Sequence, residues 1–312
     1  MNSTYAQAAA SPLPAVNARP RGTTLLTLVR REFWEHRALW IAPLIAALLL
    51  VVCATIGTFH MDLDDSRHLT EPQDRVALFT VMQWVVAGVL YVVAVVVLSF
   101  YLLDCLYAER KDRSILFWKS MPVSDGMTVW SKCLVAFVVV PLGVYLLAIV
   151  AGFLFSGILA ARLALAGAAP ILGWDTLEWL RSELAMLLIV ILGILWYAPI
   201  GACLLLLSAW ARRIPFLWAM LPPVVAPLLE LIAFGTHHIW NFELQRTAGI
   251  WWTLGIAHTH IFSHHGVRPL GTLLAEADFG AAFSDSGLWL GVVFTAAAVF
   301  AATRIRRYRD DT

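Results

Sequence analysis

The sequence predicts an all-α integral membrane protein with six transmembrane helices, and three observations carry that prediction. Of its residues 60% are hydrophobic and 14% charged, with a mean hydropathy of +0.77. Six apolar runs, near residues 39–59, 76–105, 132–160, 184–210, 216–235 and 287–303, approach or exceed the ~20 residues that a helix needs to cross a bilayer. The basic residues then alternate between the two sides that these runs define. With both termini inside, 16 of the 22 Lys and Arg lie on the inner side: Arg19, Arg21, Arg30, Arg31, Arg37, Arg110, Lys111, Arg113, Lys119, Lys132, Arg212, Arg213, Arg304, Arg306, Arg307 and Arg309. A transmembrane barrel would alternate polarity, whereas Val85 to Phe100 and Leu184 to Ile194 are almost continuously apolar.

Residues 1–22, rich in Ala, Pro, Ser and Asn, lack the basic-then-apolar order of a cleavable signal and read as a disordered cytoplasmic tail. Residues 23–312 read as one transmembrane domain. It opens with a helix over Thr23 to Arg37 that sets Leu25, Leu26, Val29 and Phe33 on one arc and Arg30, Arg31, Glu35 and Arg37 off it. Leu28 and Trp34 break the pattern, so two readings stand: an amphipathic helix on the inner leaflet, using Arg30, Arg31 and Phe33, or an extension of the first span. The first outer loop gathers Asp62, Asp64, Asp65, Glu71 and Asp74, so a net charge of +1 hides two oppositely charged faces. Trp40, Trp130, Trp210 and Trp218 mark the inner boundaries, and Trp84, Trp174, Trp179, Trp240 and Trp289 the outer ones.

Between spans two and three lies a compact charged island, residues 108–125, whose Ile115, Leu116, Phe117 and Trp118 are too apolar to face water without a reason. Ser114 to Ser120 suffices for about two helical turns, Pro122 stops them, and Ser124 is placed to cap a helix leading into span three. Spans two and three are longer than a bilayer requires, so both should project past it.

Span five contains Pro215, Pro222, Pro223 and Pro227, which predicts an interrupted helix, and Glu230 places a carboxyl at membrane depth. Glu230 belongs to a substrate path, to a structural pair with Arg246 or a histidine, or to the outer interface. Beyond it, Gly235 to Ser286 holds six of the nine histidines. Short amphipathic outer helices are expected there, with Ile250, Trp251, Trp252, Leu254 and Ile256 on the leaflet or over a translocation path. No metal site is expected, but His258, His260, His264 and His265 have a spacing at which imidazoles can converge on an adventitious or regulatory metal. Cys53, Cys105, Cys133 and Cys203 lie in spans or at their inner ends and read as packing residues. No phosphate-binding glycine motif and no catalytic triad is legible, so the chain itself is not expected to be an enzyme or to hydrolyse ATP.

The pattern Glu109-Arg110-x-Asp112-Arg113-Ser114-Ile115-Leu116-Phe117-Trp118-x-Ser120-x-Pro122-Val123-Ser124 resembles the loop between spans two and three of bacterial ABC transporter permeases of the type-2 exporter family. The likeness covers the whole chain as architecture and only this segment as motif. It implies a dimer or pseudo-dimer of permeases in the inner membrane, each gripped by a separate ABC ATPase subunit that holds ATP and Mg. It implies a cytoplasmic coupling helix, with Glu109, Arg110, Asp112 and Arg113 as its polar contacts and Ile115, Phe117 and Trp118 as its apolar plug. The resemblance favours export, while lipid, peptide, drug and polysaccharide substrates stay open; partners beyond the ATPase are lipid, not nucleic acid. Two rival readings are a membrane metalloenzyme using the outer histidines and a non-transporting anchor or sensor using the same cytoplasmic island.

Overall fold

A computed structural model of the chain describes residues 21–57, 72–112, 114, 123–165, 173–254, 262–263, 266–267 and 277–308. The N-terminal tail to residue 20, the acidic outer loop, most of the 113–122 stretch and the four histidines 258, 260, 264 and 265 lie outside the described residues. The described chain is helical apart from a two-residue antiparallel ladder, β1 (Phe262–Ser263) against β2 (Gly266–Val267).

Among the described residues, six helical segments are long and apolar enough to cross a membrane, spanning Ala38–Ile56, Arg75–Lys111, Asp125–Arg162, Thr176–Trp210, Pro215–Phe234 and Ser286–Tyr308. In chain order the helices are α1 (Arg21–Glu35), α2 (Ala38–Gly57), α3 (Pro72–Asp104), α4 (Tyr107–Lys111) and α5 (Asp125–Leu134). A π-helical turn over Val135–Val139 leads into α6 (Val140–Leu165). Then follow α7 (Thr176–Trp210), α8 (Pro215–Phe234), α9 (His238–Thr253), α10 (Phe279–Ser284) and α11 (Ser286–Tyr308).

The third and fourth spans begin earlier than the sequence suggests, at Asp125 rather than 132 and at Thr176 rather than 184. Polar residues in their first turns resemble boundaries in sequence but are accommodated by neighbouring helices. Side-chain caps fix both starts: Ser124 accepts from the Met127 amide, and Asp175 from those of Leu177 and Glu178. The expected interruption of span five does not occur. Pro215 opens α8, where its missing donor costs nothing, and the helix continues through Pro222, Pro223 and Pro227 to Gly235, which ends it at φ 66°.

Packing follows membrane rules, in which small residues bring helices together and large apolar ones meet lipid. The main core joins α2, α3, α5, α6, α7 and α11 through Ala47, Ala87, Ala94, Ala136, Ala148, Ala151, Ala202, Ala209, Ala298 and Ala302. One close approach is at Gly201 on α7, where an added Cβ would lie 2.7 Å from the ring of Phe137 in the π-helical turn. A second, smaller core sets Leu192 and Trp196 of α7 against Ile250, Leu254, Ala282 and Leu288.

Candidate functional site: a buried ion-pair network behind the 109–125 segment

The ends of α3, α7 and α11 and the beginnings of α2, α5 and α8 lie near the described basic residues noted in the sequence, and here the described residues build an ion-pair cluster. Lys132, in the last turn of α5, is fully buried, as is Glu32 on α1. The Lys132 ammonium donates to both oxygens of Glu32, at 2.9 and 3.1 Å, and lies 3.1 Å from Glu109 of α4. The Tyr101 hydroxyl donates to Glu32 at 3.0 Å, and Arg31 reaches Glu32 at 2.9 Å and Glu109 at 3.4 Å. Arg306 of α11 binds Glu109 through Nη1 and Asp125 through Nε, the latter at 3.2 Å. Three carboxylates thus face three cations. Buried charges persist only when paired and hydrogen-bonded, and this arrangement satisfies both conditions.

The network tethers the island described in the sequence at both ends. Glu109 lies at its start and Asp125 at its end, and the single guanidinium of Arg306 holds both. Arg110 turns away from solvent and donates to the carbonyls of Ser208 and Ala211 at 2.5 and 2.9 Å. In return the Ser208 hydroxyl accepts from the amides of Leu106 and Tyr107 and fixes the start of α4. Of the residues expected to meet an ATPase, Glu109 and Arg110 therefore contact this chain's own helices, and Asp112 is exposed. Arg113, Ile115, Phe117 and Trp118 lie outside the described residues.

The face of α1 also differs from the expected arc. Its inward stripe runs through Leu28, Glu32 and Phe33, and Val29 and Phe33 pack on the main core, whereas Leu26, Arg30 and Trp34 are exposed. The i, i+4 step from Leu28 to Glu32 was the available signal; an acid on that stripe reads as an error in amphipathicity unless its partner, Lys132, is recognised 100 residues away. His36, just beyond α1, packs edge-on against Tyr101 at 4.8 Å and lies 3.8 Å from Glu32. Burial pushes its imidazole pKa down, partly opposed by Glu32, and burial pushes the carboxyl of Glu35 up. Glu32, Glu35 and His36 bring three metal-capable atoms within 4.8 Å of one another, but Glu32 already accepts from Lys132, Arg31 and Tyr101. This group is part of the ion-pair network.

At the opposite end, Glu230 is nearly buried and both its oxygens are engaged. It accepts from the Thr236 hydroxyl at 2.6 Å and from the amides of His238 and Ile239 at 2.8 and 2.6 Å, capping α9 from eight residues upstream. The suggested Glu230–Arg246 pair does not form. Arg246 instead lies over the Trp196 ring at 5.3 Å and donates to the Gly287 carbonyl, in space that the missing side chain of Gly291 leaves open.

Comparison of the chain with family models, with curated proteins and with solved structures found no match. What the fold defines is the class: a six-helix polytopic membrane protein with a charged, internally paired end.

Proposed function

We propose that this chain is the membrane-spanning permease subunit of an ATP-driven exporter in a bacterial inner membrane, with both termini cytoplasmic. It works as a homodimer or pseudo-dimer and couples to separate ABC ATPase subunits, which bind ATP and Mg, through residues 109–125. The observation that carries the reading is the double clasp of Arg306 on Glu109 and Asp125. A loop that only joins two helices needs no such fastening. A loop that must transmit a push does, because displacement of a tethered segment moves the helices holding it.

On this reading Ile115, Phe117 and Trp118 occupy a cleft of the ATPase. Closure of the ATPase pair then shifts α4 and α5 together with α11, through Arg306, and α1, through Lys132 and Glu32. Two long helices, α3 and α6, carry that displacement across the bilayer to a pathway between the permeases. The inward-facing roles of Glu109 and Arg110 become roles in holding the lever, and the direct grip falls to Asp112, Arg113 and the apolar residues.

The test is affinity purification in mild detergent of the wild-type chain and of a Phe117→Ala, Trp118→Ala variant, with identification of what co-purifies. An ABC ATPase retained by wild type and lost by a normally inserted variant is the expected result. Absence of any ATPase from both overturns the reading.

A further inference from the structure

Away from the ion-pair network, α3, α6 and α7 enclose a small cavity with room for roughly one water molecule, lined by Gln83, Ala87, Tyr145, Ala148, Ile149, Glu183 and Met186. Its polar members are unusual for membrane depth. Glu183 lies two turns inside the span that begins at Thr176, is almost fully buried, and has no ion-pair partner among the described residues. Gln83 is 3% exposed, and neither its amide oxygen nor its nitrogen has a hydrogen-bond partner. Its amide is seated there by Gly152, where an added Cβ would fall on the Gln83 oxygen. The Tyr145 hydroxyl completes the rim, donating to the Glu183 carbonyl at 3.1 Å.

An unpaired carboxylate in hydrocarbon is costly, and the orphaned Gln83 amide oxygen adds to that cost; one small positive charge in the cavity offsets the first and gives the second a partner. We infer that Glu183, Gln83 and Tyr145 form an intramembrane binding site for a single small monovalent cation, either a proton carried on Glu183 or a dehydrated ion of sodium's size. The amide and phenol oxygens supply the neutral ligands, and the carboxyl supplies the charge. This site stands independently of the ATPase reading, because it draws on no residue of the 109–125 segment.

The experiment is labelling of the full chain in detergent with dicyclohexylcarbodiimide, an apolar reagent for protonated carboxyls, read by peptide mass spectrometry at Glu183. It is run from mildly acidic to alkaline pH, in sodium chloride and in choline chloride at equal ionic strength. The expected result is modification of Glu183 that falls about tenfold per pH unit above its midpoint, as a single titrating group requires. Several-fold protection by sodium over choline identifies the metal ion as occupant, and equal labelling in both salts identifies the proton. Gln83→Leu should leave labelling intact and shift its midpoint or abolish sodium protection. An unlabelled Glu183 in monodisperse protein across the whole range, or labelling indifferent to both pH and sodium, overturns the inference.

Discussion

The ammonium of Lys132 sits 2.9 and 3.1 Å from the two carboxylate oxygens of Glu32, with both side chains removed from solvent. This pair joins α1 to the start of the third span and forms the centre from which the rest of the charged cluster extends. Removing one partner leaves the other charged and buried, which typically costs about 3–5 kcal/mol. Lys132→Met should therefore lower thermal stability in detergent sharply. Lys132→Met combined with Glu32→Leu should cost less than the single change. Purely additive losses would mean that the two side chains are not coupled.

Arg306 is the residue whose loss should loosen the 109–125 segment without changing its sequence. In Arg306→Gln, the amides of Gly126 to Val129 should exchange with deuterium about tenfold faster, equivalent to ~1.4 kcal/mol of local stability. Unchanged exchange there would assign the fastening to Ser124 capping alone.

Glu230 serves α9 as a cap, so Glu230→Ala should cost about 0.5–2 kcal/mol and speed exchange at His238 and Ile239. A loss of transport with undisturbed exchange would instead identify the carboxylate as part of a substrate path.

Ile214 enters α8 with φ 48°, a left-handed conformation that a β-branched residue adopts only under strain. Ile214→Gly should raise the midpoint of thermal unfolding, with a gain on the order of 1 kcal/mol. A fall would show that the exposed isoleucine side chain contributes more than its backbone costs.

His36 gives the charged end a pH dependence. Its pKa lies below the ordinary 6.5 because burial disfavours the imidazolium. The folded state then binds fewer protons than the unfolded one, so this contribution is fully present above 6.5 and is lost as pH falls through the lower folded value. Wild type should lose thermal stability on acidification from 6.5 down through that lower value, and His36→Phe should flatten that part of the profile. An identical slope in the variant would move the cause to another group.

The spans were legible because bilayer-length apolar runs have few other interpretations, and the basic residues between them grouped at one end as expected. Two kinds of feature were not legible. Lys132 and Glu183 fall at the edges of the apolar runs 132–160 and 184–210, and a sequence does not display the carboxylate or the cavity that admits such a group to a helix. Glu230 and Arg246 looked like natural partners by sign, yet backbone amides claimed one and an aromatic face the other. Within the 109–125 segment the capping role of Ser124 could be read locally, whereas the inward turn of Glu109 depended on Arg306, almost two hundred residues later.

That separation also bears on biogenesis. Glu32, Glu109, Asp125 and Lys132 all leave the ribosome well before Arg306, so an incompletely made chain holds an excess of carboxylate over cation at the base of its bundle. Only the arrival of α11 balances it. Charge balance at this end therefore waits for α11, and a polypeptide that stalls before it would expose unmatched acids to the quality-control machinery of the membrane.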